Sequence, residues 1–230
     1  MTLLETQFMQ IVRQLSLHRS ARDVLTVFCR VVADRIDPSL AGSSECQEKE
    51  RKLTGDYSQK EKALFERLIQ LLPQILLEHQ HDFLGECLMN LELANTGMGQ
   101  YFTPDSLACL KHELLKHEYA SEIKKHGFII LQEPAVGSGG LIIKIANGLA
   151  DAGLNPSAEL FVACTDNDDF AADMAFIQLS LLGIAAEVNT GDTLRQEFRK
   201  TRYTLAYWLN NFNERLKVRR MFEVLADPGC

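Results

Sequence analysis

Nothing in this sequence of 230 residues approaches the ~20 consecutive apolar residues that a membrane span needs. Its opening, Met1-Thr-Leu-Leu-Glu5, places an acid where a secretory leader carries basic residues, so a cytoplasmic location is expected. The six cysteines (29, 46, 87, 109, 164 and 230) form no Cys-x-x-Cys pair, which argues against a zinc ribbon or disulfide framework and for reduced thiols. There is no Gly-Lys-Ser/Thr, so a loop cradling a triphosphate is not expected. Neither is there a Gly-x-Ser-x-Gly nucleophile turn. No two of the six prolines are adjacent, an absence that bears on catalysis.

What remains is the composition of a globular protein, 46% hydrophobic and 24% charged, with length enough for a sizeable core. The net charge of −7 predicts no nucleic-acid affinity by itself, but it is unevenly spread. Residues 195–220 hold eight basic side chains (Arg195, Arg199, Lys200, Arg202, Arg215, Lys217, Arg219, Arg220) against Glu197 and Glu214, a local +6 that leaves −13 for the rest. Such a segment can track the phosphates of DNA, dock an acidic partner or stand as a solvated surface.

Apolar periodicity makes the first ~95 residues helical. Leu4, Phe8, Ile11, Val12 and Leu15 form one stripe, and Val24, Phe28, Val31 and Val32 a second behind a Ser20/Asp23 cap. Residues 38–57, with Pro38, Gly42 and Gly55 among charges, read as an exposed connection. Ser58 and Glu61 start a further helix that Pro73 is expected to break or kink. Another helical piece spans about 81–94. Glu78-His-Gln-His81-Asp82 contains metal-ligand types, but two histidines two apart on a helix point to different faces, so surface residues are expected there.

From about residue 127 strands and helices alternate, the pattern of an α/β domain with a mostly parallel sheet. Phe128–Leu131, Leu160–Cys164 and Ile184–Asn189 read as buried strands. Leu141–Ala150 and a stripe at Phe170, Met174, Ile177 and Leu181 read as the helices between them. Cys164 then lies inside a strand, the setting of an inert thiol. Between the first strand and its helix stands Glu133-Pro-Ala-Val-Gly-Ser-Gly-Gly140, whose Gly137, Gly139 and Gly140 let a ligand approach the main chain. Asp166 follows the second strand and suits ribose hydroxyls, since a carboxylate can accept from both. Asp168 and Asp169 read better as helix-capping or turn residues. Asp192, after the third strand, suits an exocyclic adenine amine or, equally, a tight turn. All of these fall at the carboxyl ends of the strands, where α/β sheets bind ligands.

Residues 133–140 resemble the first motif of DNA adenine-N6 methyltransferases, in particular the modification subunits of type I restriction–modification systems. Gly99-Gln-Tyr-Phe-Thr-Pro104, some thirty residues earlier, resembles the motif these enzymes place before the sheet. The resemblance implies a helical domain over residues 1–95. Over 96–230 it implies a partial, Rossmann-like S-adenosylmethionine-dependent methyltransferase domain. It implies S-adenosylmethionine as the cofactor, held by Tyr101, Phe102, Thr103, Glu133, Ala135, Gly137, Gly139, Asp166 and Asp192; for Tyr101 and Phe102 core packing is the alternative. DNA is the implied substrate.

The resemblance fails where catalysis is expected. In the family an Asn/Asp-Pro-Pro-aromatic motif after the fourth strand accepts hydrogens from the adenine amine and stacks on the flipped base. Here Tyr203–Phe212 occupies that place, and only Asn210, Asn211 and Phe212 echo it, with Trp208 as an alternative stacking residue. The family sheet also continues further, so this one is expected to be incomplete or closed by other protein subunits. Two functions follow: an adenine methyltransferase in which 210–212 handle the base, or a non-catalytic, methyltransferase-like binding or regulatory protein.

Overall fold

The computed structural model describes residues 1–93, 119 and 121–226. Five helices come first: α1 (Leu3–Leu15), α2 (Ala21–Ile36), α3 (Ser44–Leu53), α4 (Gln59–Glu78) and α5 (Phe83–Leu93). Each of the first four starts on a Ser or Thr whose hydroxyl accepts from a backbone N–H three residues on. Thr2/Glu5 and Ser58/Glu61 complete reciprocal capping boxes. Phe8, Val12, Phe28, Val32, Leu68 and Leu72 form the buried stripes that periodicity anticipates.

Two helical expectations are corrected. Residues 38–57 are not merely a connection, because α3 lies within them. It buries only Cys46 among its own residues and is laced by Glu45–Lys49 and Glu48–Arg51 ion pairs, so it carries no apolar stripe to read. Nor does Pro73 end its helix, since α4 runs on to Glu78. Leu71, Leu72, Ile75 and Leu76, on either side of the proline, are all buried, and that packing outweighs the lost hydrogen bond.

The second part follows as β1 (Ile129–Glu133), α6 (Gly140–Asp151), α7 (Pro156–Glu159), β2 (Leu160–Asp166), α8 (Asp169–Leu181), β3 (Ala185–Asp192), β4 (Glu197–Tyr203), α9 (Leu205–Leu209) and α10 (Phe212–Ala226). The sheet order is β1-β2-β3-β4. β1, β2 and β3 are parallel, with Leu131 opposite Val162 and Val162 opposite Ala186. β4 runs antiparallel to β3, Tyr203 pairing Glu187 near its start and Glu197 pairing Asp192 at its end. Chain length dictates this reversal. Four residues join β3 to β4, whereas a parallel return needs a crossover of about a dozen or more. In a doubly wound sheet of order 3-2-1-4 the fourth strand would lie beside β1; here it lies outside β3.

Alternation along the strands divides the core. Ile129, Leu131, Leu160, Val162, Cys164, Ala186 and Val188 face one large cluster shared with α1, α2, α4, α5, α6 and α8. Phe128, Phe161 and Ala185 face the other way and pack with Tyr207 and Phe212. On that second side a groove of about 1000 Å³ separates Ile130 and Ala163 from α10, whose Met221, Phe222, Val224 and Leu225 are exposed.

β4 is fastened by buried charge. Arg202, 3% exposed, bonds Asp34 on α2 and Asp173 on α8, with Asp37 at 3.3 Å. Arg30 Nε reaches the other Asp173 oxygen at 2.5 Å, and Lys200 Nζ reaches Asp34 at 3.3 Å. Burial pulls the Asp34 carboxyl upward, but Lys200 and Arg202 outweigh it and hold the group below its ordinary range. The cluster joins the helical part to the far edge of the sheet.

Candidate functional site

The loops after β1, β2 and β3 meet at the carboxyl edge of the sheet and are bonded to one another. Val136 N–H donates to the Thr165 carbonyl at 2.9 Å. Gly137 N–H donates to Asp166 Oδ2 at 2.8 Å, and Thr193 Oγ1 donates to the Pro134 carbonyl at 2.8 Å. Gly137 (φ 58°) and Gly139 (φ 98°) both have left-handed backbones, which a Cβ would strain. Their loop therefore turns within a few residues and delivers α6, beginning at Gly140, with its N-terminus at this rim.

Each anticipated residue in the loops can be placed. Glu133 ends β1, and its Oε1 accepts from Ala135 N–H at 3.3 Å. Asp166 ends β2, with Oδ2 taking Gly137 N–H and Oδ1 taking Asp168 N–H at 2.9 Å. Two bonds leave acceptor capacity on both oxygens, because an ionised carboxylate offers about four lone-pair sites. Asp168 is a helix cap, accepting from Phe170 N–H at 2.9 Å while Arg22 lies 3.1 Å from its second oxygen. Asp192 is a turn residue: Oδ1 accepts from Leu194 N–H at 2.9 Å and Arg195 N–H at 3.1 Å. Gly191 beside it marks a bulge, where a Cβ would come within 2.2 Å of the Glu197 carbonyl oxygen. Tyr101, Phe102 and Thr103 lie outside the described residues.

Gly140 needs a different reason from the one its motif suggests. A Cβ there would meet Asp82 Oδ2 at 2.7 Å, so this glycine admits a side chain from the helical part rather than a ligand. Asp82 accepts from Ser138 Oγ at 2.5 Å, inside the glycine loop, and from Gln178 Nε2 on α8 at 2.8 Å. Sequence reasoning missed Asp82, Gln178 and Thr193. Asp82 also caps α5, with Gly85 N–H donating to its Oδ1 at 3.0 Å, and that cap is the local signal that could have marked it.

Asn210, Asn211 and Phe212 are not brought to the rim. Because β4 runs backwards, it ends at the amino edge, where Thr204 Oγ1 donates to the Ile184 carbonyl just before β3. The eight residues of β3 put roughly 25 Å between the two edges. Asn210 donates to Ser157 Oγ at 3.2 Å and to the Ala206 carbonyl at 3.0 Å. Asn211 forms a left-handed turn at φ 55°. Phe212 is fully buried, its ring 5.2 Å from Phe128 and 5.6 Å from Phe161, with the Arg215 guanidinium 4.3 Å away. Such a ring has no free face for a base. Trp208 is half-exposed at the same edge, against Tyr203 and Tyr207.

The basic segment is also spent differently from the simple charge count. Lys200 and Arg202 serve the buried cluster. Arg215 donates to the Ala158 and Gly127 carbonyls, and Arg219 pairs with Glu122 and Glu223. Arg199 bonds Asn167, Lys217 bonds Glu214, and Arg195 stands 3.7 Å from Asp192. Seven of the eight cations thus have internal partners, although Arg195, Arg199 and Lys217 stay exposed beside theirs. Cys164 is buried in β2, and that burial pushes its thiol well above the ordinary range, as its place in an apolar run implies. No helix among the described residues is long and apolar enough to cross a membrane.

Comparison with known proteins adds to this geometry. The family model described as N-6 DNA Methylase matches residues 82–215. No curated protein matches the sequence. Among solved structures, one similar chain is described as a class I S-adenosylmethionine-dependent methyltransferase from Listeria monocytogenes. It is 18% identical, covers 83% of this chain and 54% of its own, and has a TM-score of 0.48. Another is described as the methyltransferase subunit of a type I restriction-modification system from Streptococcus thermophilus, 15% identical, covering 85% and 52%, with a TM-score of 0.42. The chain spans about half the length of these structures. The family model takes in more than half of the sequence, including all three rim loops, and its match implies S-adenosylmethionine as cofactor: this chain belongs to the N-6 DNA methylase family.

Proposed function

We propose that this chain binds S-adenosylmethionine at the carboxyl rim of β1–β3 and serves adenine-N6 methylation of DNA as a methyltransferase-like protein. One observation carries the reading: three loops from three strands are hydrogen-bonded into a single rim, with left-handed glycines on one side and an Asp166 carboxylate of spare acceptor capacity on the other. In this reading Asp166 takes the ribose hydroxyls. Glu133 and the main chain at Ala135, Gly137 and Gly139 line the methionine and sugar, and Asp192 lies beside the adenine. Tyr101, Phe102 and Thr103 are assigned the methionine end by their motif. The bound cofactor supplies an electrophilic methyl group; the chain's own residues bind and orient it.

DNA as substrate, protein subunits as partners and a cytoplasmic setting belong to the same proposal and rest on family membership. Titration calorimetry with S-adenosylmethionine tests the binding claim: saturable heat is expected, and its absence would defeat the reading. Transfer of labelled methyl to unmodified DNA tests the activity.

A second reading is favoured by the position of Asn210, Asn211 and Phe212 at the opposite edge. Without those residues at the rim, no described side chain there accepts from an adenine amine in the manner the family requires. The chain would then bind the cofactor as a regulatory or non-catalytic partner. Tight cofactor binding without methyl incorporation would select this reading, and incorporation would exclude it.

A further inference from the structure

We infer that Asp82, on the helical part, is the positioning residue of the glycine loop, so that the helical part sets the shape of the cofactor site. The inference rests on the binding proposed above and names how that site is controlled.

Three segments meet at this carboxylate. Asp82 Oδ2 accepts from Ser138 Oγ at 2.5 Å, and Oδ1 accepts from Gln178 Nε2 at 2.8 Å and Gly85 N–H at 3.0 Å. Gln178 in turn donates to the Ser138 carbonyl at 2.8 Å, and its Oε1 accepts from Leu84 N–H at 3.0 Å. Ser138 and Gln178 are wholly buried. The packing leaves no slack, since a Cβ on Gly85 would lie 2.4 Å from Asp82 Oδ2 and 2.5 Å from Ser138 Oγ. Gly140 is held to the same limit by Asp82. Two glycines, one on α5 and one on α6, are thus required for one carboxylate to enter.

The position of Ser138 gives the joint its meaning. It sits between Gly137 and Gly139, both left-handed and both residues with wide conformational freedom. Alone, such a turn would sample many shapes and lose affinity in ordering itself on binding. Asp82 holds the serine side chain and Gln178 its carbonyl, so the residue between the two hinges is fixed from both ends. The neighbouring Gly137 N–H is thereby kept on Asp166 and the loop arrives at the ligand already shaped. A helix cap for α5 would need only the Gly85 bond; the bonds to α8 and Ser138 go beyond it.

The test compares Asp82→Ala, Asp82→Asn and Ser138→Ala with Leu88→Ala, in the full chain. Leu88 is a buried α5 residue, so its truncation controls for loss of stability alone. Hydrogen exchange read across residues 136–140 without ligand should speed by about tenfold or more in the three polar variants, the effect of losing one or more charge-assisted bonds. In the Leu88 variant, exchange there should rise no more than it does in β2 and β3. S-adenosylmethionine affinity should fall by about tenfold in the polar variants and stay unchanged in Leu88→Ala, with Asp82→Ala and Ser138→Ala less than additive when combined. Unchanged loop exchange in folded Ser138→Ala and Asp82→Asn would overturn the inference, as would affinity loss equal to the Leu88 control. If the unmodified chain fails to bind the cofactor while the polar variants still loosen the loop, the binding proposal falls and the positioning role of Asp82 stands.

Discussion

The two edges of the sheet are built on opposite principles. At the carboxyl edge polar main chain is left near the surface: the left-handed turn at Gly137, a carboxylate with spare lone pairs, and loops tied by single hydrogen bonds. At the amino edge aromatic rings close over one another, Phe128, Phe161 and Phe212 at 5–6 Å spacing beneath Arg215. One edge is arranged to receive hydrogen bonds and the other to exclude water. The difference shows why residues that echo a catalytic motif need not act as one. Asn210–Phe212 carry plausible side chains, but a four-residue hairpin has reversed β4 and delivered them to the closed edge.

The largest expected effect comes from undoing what holds β4 in that reversed position. Arg202→Ala leaves Asp34, Asp37 and Asp173 without their shared cation in the core, and should cost about 3–5 kcal/mol in a denaturant titration. A loss under about 1 kcal/mol would mean that β4 is not fastened this way. Phe212→Ala should cost about 3 kcal/mol by emptying the amino-edge cluster, with cofactor affinity unchanged. If Phe212 instead stacks on a base, stability should hold while any methyl transfer fails. Asp166→Ala should weaken S-adenosylmethionine by about 1–3 kcal/mol in calorimetry; equal affinity would move the site elsewhere. Asn211→Ala, forcing a Cβ-bearing residue without a local polar group to φ 55°, should cost about 1 kcal/mol of stability and nothing in binding.

Acid should act on the far edge of the sheet through the buried cluster. Asp34 has a folded-state pKa below its ordinary 3.8, so its contribution is fully present above about pH 4. As pH falls through the depressed value the carboxyl protonates and that stabilisation is lost. Thermal melts of the unmodified protein and of Asp34→Asn should therefore converge as pH drops below 4; parallel curves would show that the charge pairing contributes nothing.

Much of this was legible in the sequence because periodicity reports burial directly. The stripes at Phe8, Val12, Phe28 and Leu68, and Ile129, Leu131, Leu160, Phe161, Val162 and Cys164 on the strands, became core for that reason, whereas Ile130 and Ala163 of the same runs line the groove beside α10. The common rim was legible too, since Glu133, Asp166 and Asp192 each end a strand. α3 was not, because Cys46 alone on that helix is buried and charge pairs leave no apolar rhythm. The β4 reversal could have been seen in the short span between Asp192 and Tyr203, too short for a crossover helix. Asp82 could not, because its partners Ser138 and Gln178 lie 56 and 96 residues away, and a tertiary joint of polar side chains has no local pattern. Gly140 illustrates the same limit: the glycine was visible, but its reason was on another helix.

Amide NMR during addition of S-adenosylmethionine reads both edges at once. The account predicts shifts at Gly137, Gly139 and Asp168, with Asn210, Asn211 and Phe212 unmoved. Shifts confined to residues 204–212, or a silent glycine loop in a protein that binds the cofactor, would contradict it.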